Sequence, residues 1–139
     1  MNKKRKSIAR LVEDAAVILQ RIVRIKAADE NGYVSCVTCG VTRQWNDGMQ
    51  GGHFISRRYT AHKLTEENIH PQCQKCNGPL RGNQILYTTY MIDTYGREFV
   101  DDLERTKGQT KKYTRPEIEQ IIQELREYEK QVTENMHGA

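Results

Sequence analysis

Long apolar runs are missing from this 139-residue chain, and tryptophan (one), phenylalanine (two) and proline (three) are scarce. No stretch approaches the roughly 20 apolar residues that a membrane-spanning helix needs. With 37% hydrophobic and 29% charged residues, core-forming side chains are few. Small domains short of core commonly offset the deficit with a structural metal. The basic opening Met1-Asn2-Lys3-Lys4-Arg5-Lys6 lacks an unbroken apolar region behind it, because Glu13 and Asp14 interrupt the next stretch. A secretory signal is therefore not expected, and the expected setting is the reducing cytoplasm, where thiols do not pair as disulfides.

Cysteine is absent outside two pairs, Cys36-Val37-Thr38-Cys39 and Cys73-Gln74-Lys75-Cys76. Each C-x-x-C can present two thiolates to one tetrahedral ion, and two pairs complete a closed four-sulfur zinc site. Such a site is structural, since no coordination position is left for water or substrate. Between the pairs lie 33 residues, more than most zinc ribbons carry. The inserted segment contains Gly51-Gly52-His53-Phe54-Ile55.

Charge alone decides little. The net charge is +4, with +4 on residues 1–30, +2 on 31–95 and −2 on 96–139. The positive part thus includes the cysteine segment, as expected of a surface that faces phosphate.

Residues 7–29 read as a helix capped by Ser7, with Ile8, Leu11, Ala15, Ile18, Ile22 and Ile25 on one stripe. Asn31-Gly32 ends it. Tyr33–Cys36 and Phe54-Ile55 read as short strands, and Asp47-Gly48 and Gly51-Gly52 as tight bends. Helices are predicted over Gln84–Tyr95, stopped by Gly96, and over Glu98–Arg105. Thr114-Arg115-Pro116-Glu117 is a capping box opening onto Ile118, Ile121, Ile122, Leu125, Tyr128 and Val132. The tail from Thr133 to Ala139 is predicted to be disordered. The apolar stripes of the first and last helices can pair within one chain or make a homodimer.

His53 would close the first strand of a hairpin held between the two knuckles. An imidazole with an ordinary pKa near 6.5 suits a general base that takes a proton from water at neutral pH. Asn77, directly after Cys76, offers a hard amide oxygen to a magnesium-type ion, or a cap to a helix. Asn68 is expected to hold the loop facing His53 through hydrogen bonds to backbone. Arg57, Arg58 and Arg81 are near enough in sequence to bind flanking phosphates, with Lys63 and Lys75 secondary.

The stretches Gly52-His53-Phe54-Ile55-Ser56-Arg57, Asn68-Ile69-His70-Pro71-Gln72-Cys73-Gln74-Lys75-Cys76-Asn77 and Arg81-Gly82-Asn83 resemble the HNH nucleases. More narrowly, they resemble the phage NinG/Rap recombination endonuclease family, over most of the chain and most specifically over 36–83. The resemblance implies an HNH-type ββα-metal core, a structural Zn²⁺ on Cys36, Cys39, Cys73 and Cys76, and a catalytic Mg²⁺ or Mn²⁺. It implies DNA as partner, branched as in Holliday junctions or D-loops, and a bacterial host cytoplasm. On that pattern His53 stands at the general-base position, Asn68 at the central asparagine and Asn77 at the final metal-binding position. One departure matters: many HNH nucleases carry an aspartate metal ligand where this chain has Gly52. Asp47, His62, Glu66, His70, water or His53 itself are the alternatives for that ligand.

The fold class expected is α+β and mainly helical, a zinc-stabilised HNH core flanked by amphipathic helices. Residues 1–30 form the basic N-terminal helix, 31–97 the nuclease core and 98–139 a helical extension, in one compact domain.

Overall fold

A computed structural model describes residues 5–138; the basic residues Met1–Lys4 and the terminal Ala139 lie outside the described residues. Helix α1 (Ile8–Ala27) starts at Ser7, whose Oγ accepts from the Arg10 backbone N–H at 3.1 Å. Strands β1 (Tyr33–Ser35) and β2 (Thr42–Gln44) form one antiparallel ribbon around the first cysteine pair. Strands β3 (Met49–His53) and β4 (Ile69–Cys73) form a second, in the register Gly51↔Pro71, Gly52↔His70 and His53↔Ile69. A single helical turn, α2 (Gln74–Asn77), follows, then α3 (Gln84–Tyr95), α4 (Arg97–Thr106) and α5 (Arg115–Gly138). The class is α+β and mainly helical. None of the described helices is long and apolar enough to cross a membrane.

The stripe on α1 is covered within the chain by α5. Ala15, Ile18, Leu19, Ile22 and Ile25 pack with Ile118, Ile122 and Val132, and Ile69 of β4 enters the same core. Arg21 Nε donates to Glu129 at 2.6 Å across the pair. The capping box is formed: Glu117 accepts from the Thr114 N–H at 2.8 Å, and Thr114 Oγ1 accepts from the Glu117 N–H at 3.3 Å. Helix α5 then runs on to Gly138, so residues 133–138 are helical where a disordered tail was expected. Val132 and Met136 packing on the core explain the continuation. A second core joins Phe54 and Ile55 to Tyr87 and Met91 of α3 and Val100 and Leu103 of α4.

Two local expectations are corrected. Phe54 and Ile55 follow β3 in a bend, buried against α3 and α4, instead of forming a strand. Gly51 and Gly52 lie inside β3 instead of bending the chain. Their small size serves close packing. A Cβ on Gly51 would come 2.7 Å from Gln20 Cβ, so glycine lets α1 lie flush against the hairpin. Asp47-Gly48 does turn, with Gly48 at φ 81°. Arg24 fastens the same contact, its Nη1 donating to the Trp45 and Met49 carbonyls at 3.1 and 3.0 Å.

A cysteine knuckle beside a basic cleft

The four cysteine sulfurs lie within 4.8 Å of one another. Cys36 comes from the end of β1, Cys39 from the turn after it, Cys73 from the end of β4 and Cys76 from α2. Cys39 and Cys73 Sγ are 3.7 Å apart, too far for a disulfide near 2.05 Å. Sulfurs each about 2.3 Å from one tetrahedral ion stand about 3.8 Å from one another, so this quartet could hold a zinc ion. Asn83 Nδ2 donates to Cys76 Sγ at 3.5 Å, and Thr38 Oγ1 lies 3.2 Å from Cys36 Sγ, contacts that help to orient the sulfurs.

Next to the knuckle is a cleft of about 600 Å³ whose lining includes His53, Arg57, Tyr59, Asn77, Arg81, Gln84, Glu104 and Lys107. Three of these carry positive charge and one is a carboxylate. The structure therefore gathers His53, Asn77, Arg57 and Arg81 around one space. Arg58 is outside that lining, with its guanidinium over the Tyr59 ring at 5.1 Å. Lys75 is exposed on α2, and Lys63 pairs with Glu13 of α1.

His53 is buried and its Nε2 lies 2.9 Å from the Lys63 carbonyl oxygen. A carbonyl only accepts, so Nε2 carries the proton and Nδ1 keeps its lone pair, with no hydrogen-bond partner among the described residues. Burial pulls the imidazole below its ordinary value of 6.5, assisted by the Arg57 and Lys63 charges, while the carbonyl bond opposes this. The ring is neutral at pH 7. Asn68 builds the support for that carbonyl. Its Oδ1 accepts from the Ile55 N–H at 2.8 Å, and its Nδ2 donates to the Ile55 and His62 carbonyls at 3.0 and 3.1 Å. The loop 55–68 is thereby closed with the Lys63 carbonyl, one residue beyond His62, facing His53.

Asn77 is half-buried and ends α2, so it does not cap a helix start. Its Nδ2 donates to Gln50 Oε1 at 2.7 Å. That bond leaves Oδ1 near Gly52. A Cβ on Gly52 would fall 3.1 Å from Asn77 Oδ1 and only 1.9 Å from Gln72 Oε1. Gln72 is fully buried, donating to Gly82 O at 2.8 Å, and its Oε1 has no partner. The space for an aspartate at position 52 is thus filled by a carboxamide from the neighbouring strand. Gly52→Ala is expected to cost about 1–3 kcal/mol of stability by overpacking against Gln72, read as a lowered unfolding midpoint in denaturant. Unchanged stability would mean that Gln72 swings away freely.

Of the alternative ligands for the missing aspartate, His53 lines the cleft and Asp47, His62, Glu66 and His70 do not. His62 Nε2 lies 2.7 Å from Thr106 Oγ1, and Glu66 accepts from Lys26 at 2.6 Å and from Tyr128. Asp47 lies in the exposed β2–β3 turn. His70 Nε2 and Nδ1 meet the Tyr95 and Tyr87 hydroxyls at 2.8 and 3.1 Å. Tyr87 in turn donates to the Gly52 carbonyl at 2.7 Å. The donors follow in sequence: Tyr95 hydroxyl to His70 Nε2, His70 Nδ1–H to Tyr87, and Tyr87 hydroxyl to Gly52, the residue before His53. Burial lowers the His70 pKa to about 4, which keeps this chain of bonds neutral. Gln72, Tyr87, Glu104 and Lys107 were not legible as site residues. Gln72 sits two residues from His70 on one strand face, a period-2 signal that could have found it; α4 reaches the cleft only through tertiary packing.

Fold and site define a small α+β protein organised on a four-cysteine centre able to hold zinc. Residues 1–135 match the family described as bacteriophage lambda NinG protein, and the chain belongs to that family. It is similar to the protein ninG of Escherichia phage lambda, 27% identical over 116 residues that cover 77% of this chain and 55% of that protein. The proteins ninG of Escherichia phage 933W and Enterobacteria phage VT2-Sa are each 30% identical over 88 residues, 61% of this chain and 42% of theirs. The chain thus spans about half the length of these curated relatives. No solved structure matches it.

Proposed function

We propose that this chain is a metal-dependent endonuclease hydrolysing DNA phosphodiester bonds, preferentially in branched recombination intermediates. The observation that carries the reading is the convergence of His53, Asn77, Arg57 and Arg81 on one cleft, with the His53 Nδ1 lone pair unengaged. Support also comes from the order β3, β4, α2 between and across the cysteine pairs, which resembles the ββα-metal arrangement of HNH nucleases. The preference for branches follows from the family resemblance.

In this mechanism neutral His53 takes the proton of a water through Nδ1 as that water attacks phosphorus. The Lys63 carbonyl, fixed by Asn68, holds the ring and supports the imidazolium that forms. Arg57 and Arg81 bind the phosphates on either side and set the scissile group in line. Asn77 Oδ1 beside Gly52 is a hard oxygen suited to a divalent cation, and Glu104, which pairs with Lys107 at 3.0 Å, is the carboxylate lining the same cleft. When bound, Mg²⁺ or Mn²⁺ supplies charge stabilisation for the phosphorane-like transition state and the departing 3′ oxygen.

A second reading, a zinc-stabilised DNA-binding module without catalysis, is favoured by one observation. The usual carboxylate position is closed by Gln72. The deciding experiment incubates the zinc-loaded protein with labelled four-way junction and matched linear duplex, with and without Mg²⁺. Mg²⁺-dependent cutting of the junction in preference to the duplex is expected. Binding without cutting selects the non-catalytic module, and equal cutting of plain duplex selects an HNH nickase of ordinary DNA. The α1 stripe offered as a dimer contact is already covered by α5, so any homodimer would use another surface.

A further inference from the structure

Most large apolar side chains of α3 point inward, but its first turn does the opposite. Ile85 is 84% exposed and Leu86 46%, and the turn before them leaves Leu80 45% exposed. These three aliphatics fall within seven residues and bracket Arg81 and Gln84, both of which line the basic cleft. Among the described residues the other exposed large apolar side chains, Ile8, Val17 and Tyr33, are scattered over α1 and β1.

The segment that presents them is built rigidly. Arg81, Gly82 and Asn83 are three consecutive left-handed residues, with φ of 51°, 91° and 48°. Arg81 and Asn83 pay a strain that persists only where the surroundings over-determine the backbone. Those surroundings are visible. The Arg81 N–H donates to Gly78 O at 2.8 Å, the Gly82 N–H to Cys76 O at 2.8 Å and the Asn83 N–H to Leu80 O at 2.9 Å. Gln72 holds the Gly82 carbonyl from the core, and Asn83 reaches the sulfur of Cys76. The cysteine knuckle therefore fastens a segment that carries three exposed aliphatics next to two residues of the cleft.

We propose that Leu80, Ile85 and Leu86 form a wedge that enters DNA at a branch point and packs against unstacked bases while Arg57, Arg81 and Lys107 hold the adjoining phosphates. Charge selects the occupant: an apolar tip flanked by cations complements a polyanion with exposed hydrophobic base faces. Protein side chains of this type are inserted between base steps in kinked DNA. The penalty for doing so is least where bases are already unpaired. A wedge of this kind would therefore discriminate branched from continuous duplex without reading sequence. The inference rests on the cleft binding DNA, as in the proposed function, but not on cleavage.

The test uses a four-way junction carrying 2-aminopurine at the branch, the full zinc-loaded chain and no added Mg²⁺ or Mn²⁺, so that binding is read without cutting. Wild type is expected to raise the probe fluorescence several-fold and to bind the junction about tenfold tighter than matched linear duplex. Ile85→Ala combined with Leu86→Ala should abolish the fluorescence rise and the preference, while leaving duplex affinity and the unfolding midpoint unchanged. A double variant that keeps both the rise and the preference overturns the wedge. So does a wild-type dimer that the same substitutions convert to monomer in light scattering without DNA, since the patch would then be a contact between copies. Wild type that unstacks the branch yet never cuts with Mg²⁺ sinks the nuclease reading and leaves the wedge standing. Cutting of the junction with no fluorescence change does the reverse.

Discussion

Replacing His53 with alanine is expected to lower DNA cleavage by about 10²- to 10⁴-fold, the usual range for removing a general base. Zinc content and junction affinity should stay at wild-type levels, because the His53 side chain makes one hydrogen bond, to the Lys63 carbonyl, and stands at the far end of the β3–β4 ladder from Cys73. The effect is large because of the tautomer. With Nε2–H committed to a carbonyl, Nδ1 is the ring's proton acceptor, and alanine leaves nothing to replace it. The pH dependence has a definite sign. In the proposed mechanism the active form is the neutral ring, and burial sets its pKa below 6.5. Cleavage should therefore climb with pH through a midpoint under 6.5 and be level by pH 7, as read from single-turnover rates. An acid limb centred above 6.5 would place a different base in the cleft, and wild-type rates in the variant would remove His53 from the chemistry altogether.

The second large effect is expected at Cys73. Cys73→Ser should take away one of four ligands and weaken zinc binding severely, where structural zinc sites contribute about 10–16 kcal/mol of apparent binding free energy in small peptides. Cys73 also closes the register of β3 with β4, opposite Met49, and is buried with Val34, Cys36, Met49 and Cys76. Loss of an ion held there would therefore unfasten both ribbons at once. Trp45, the chain's one tryptophan, packs on this cluster and on the α1–α5 core. Its fluorescence should shift to the red in Cys73→Ser and in wild type treated with a strong chelator, with zinc loss measured in parallel. A variant that stays folded, cuts DNA and contains no metal would show that the four sulfurs are not a structural zinc site.

The helices are largely legible in the sequence. Ser7, the Thr114–Glu117 box and Gly96 act through bonds between near neighbours, and such bonds do not depend on the rest of the fold. The sulfur quartet was readable for a related reason, since two C-x-x-C pairs admit few arrangements around one ion. Asn68 reads as a loop-holder in the sequence, and its three bonds to the Ile55 and His62 backbone are of that kind. What escaped was packing across the sequence. The Gly51-Gly52 pair looks like a bend to any local rule, yet Gln20 and Gln72, 31 and 20 positions away, are the reasons for it. The helical end of α5 depends on Val132 and Met136 meeting α1, which periodicity alone did not extend so far. Glu104 and Lys107 reach the cleft because α4 folds back over Phe54 and Ile55, and no spacing announces that.

The contact between Gly51 and Gln20 has an implication for anyone wishing to shorten the chain. Helix α1 backs the strand that ends in His53, and Ile69, opposite His53, is sealed by α1 and α5 together. Trimming to the cysteine-bounded stretch would strip the plaster from behind that wall, so α1 and α5 belong to any shorter piece expected to fold.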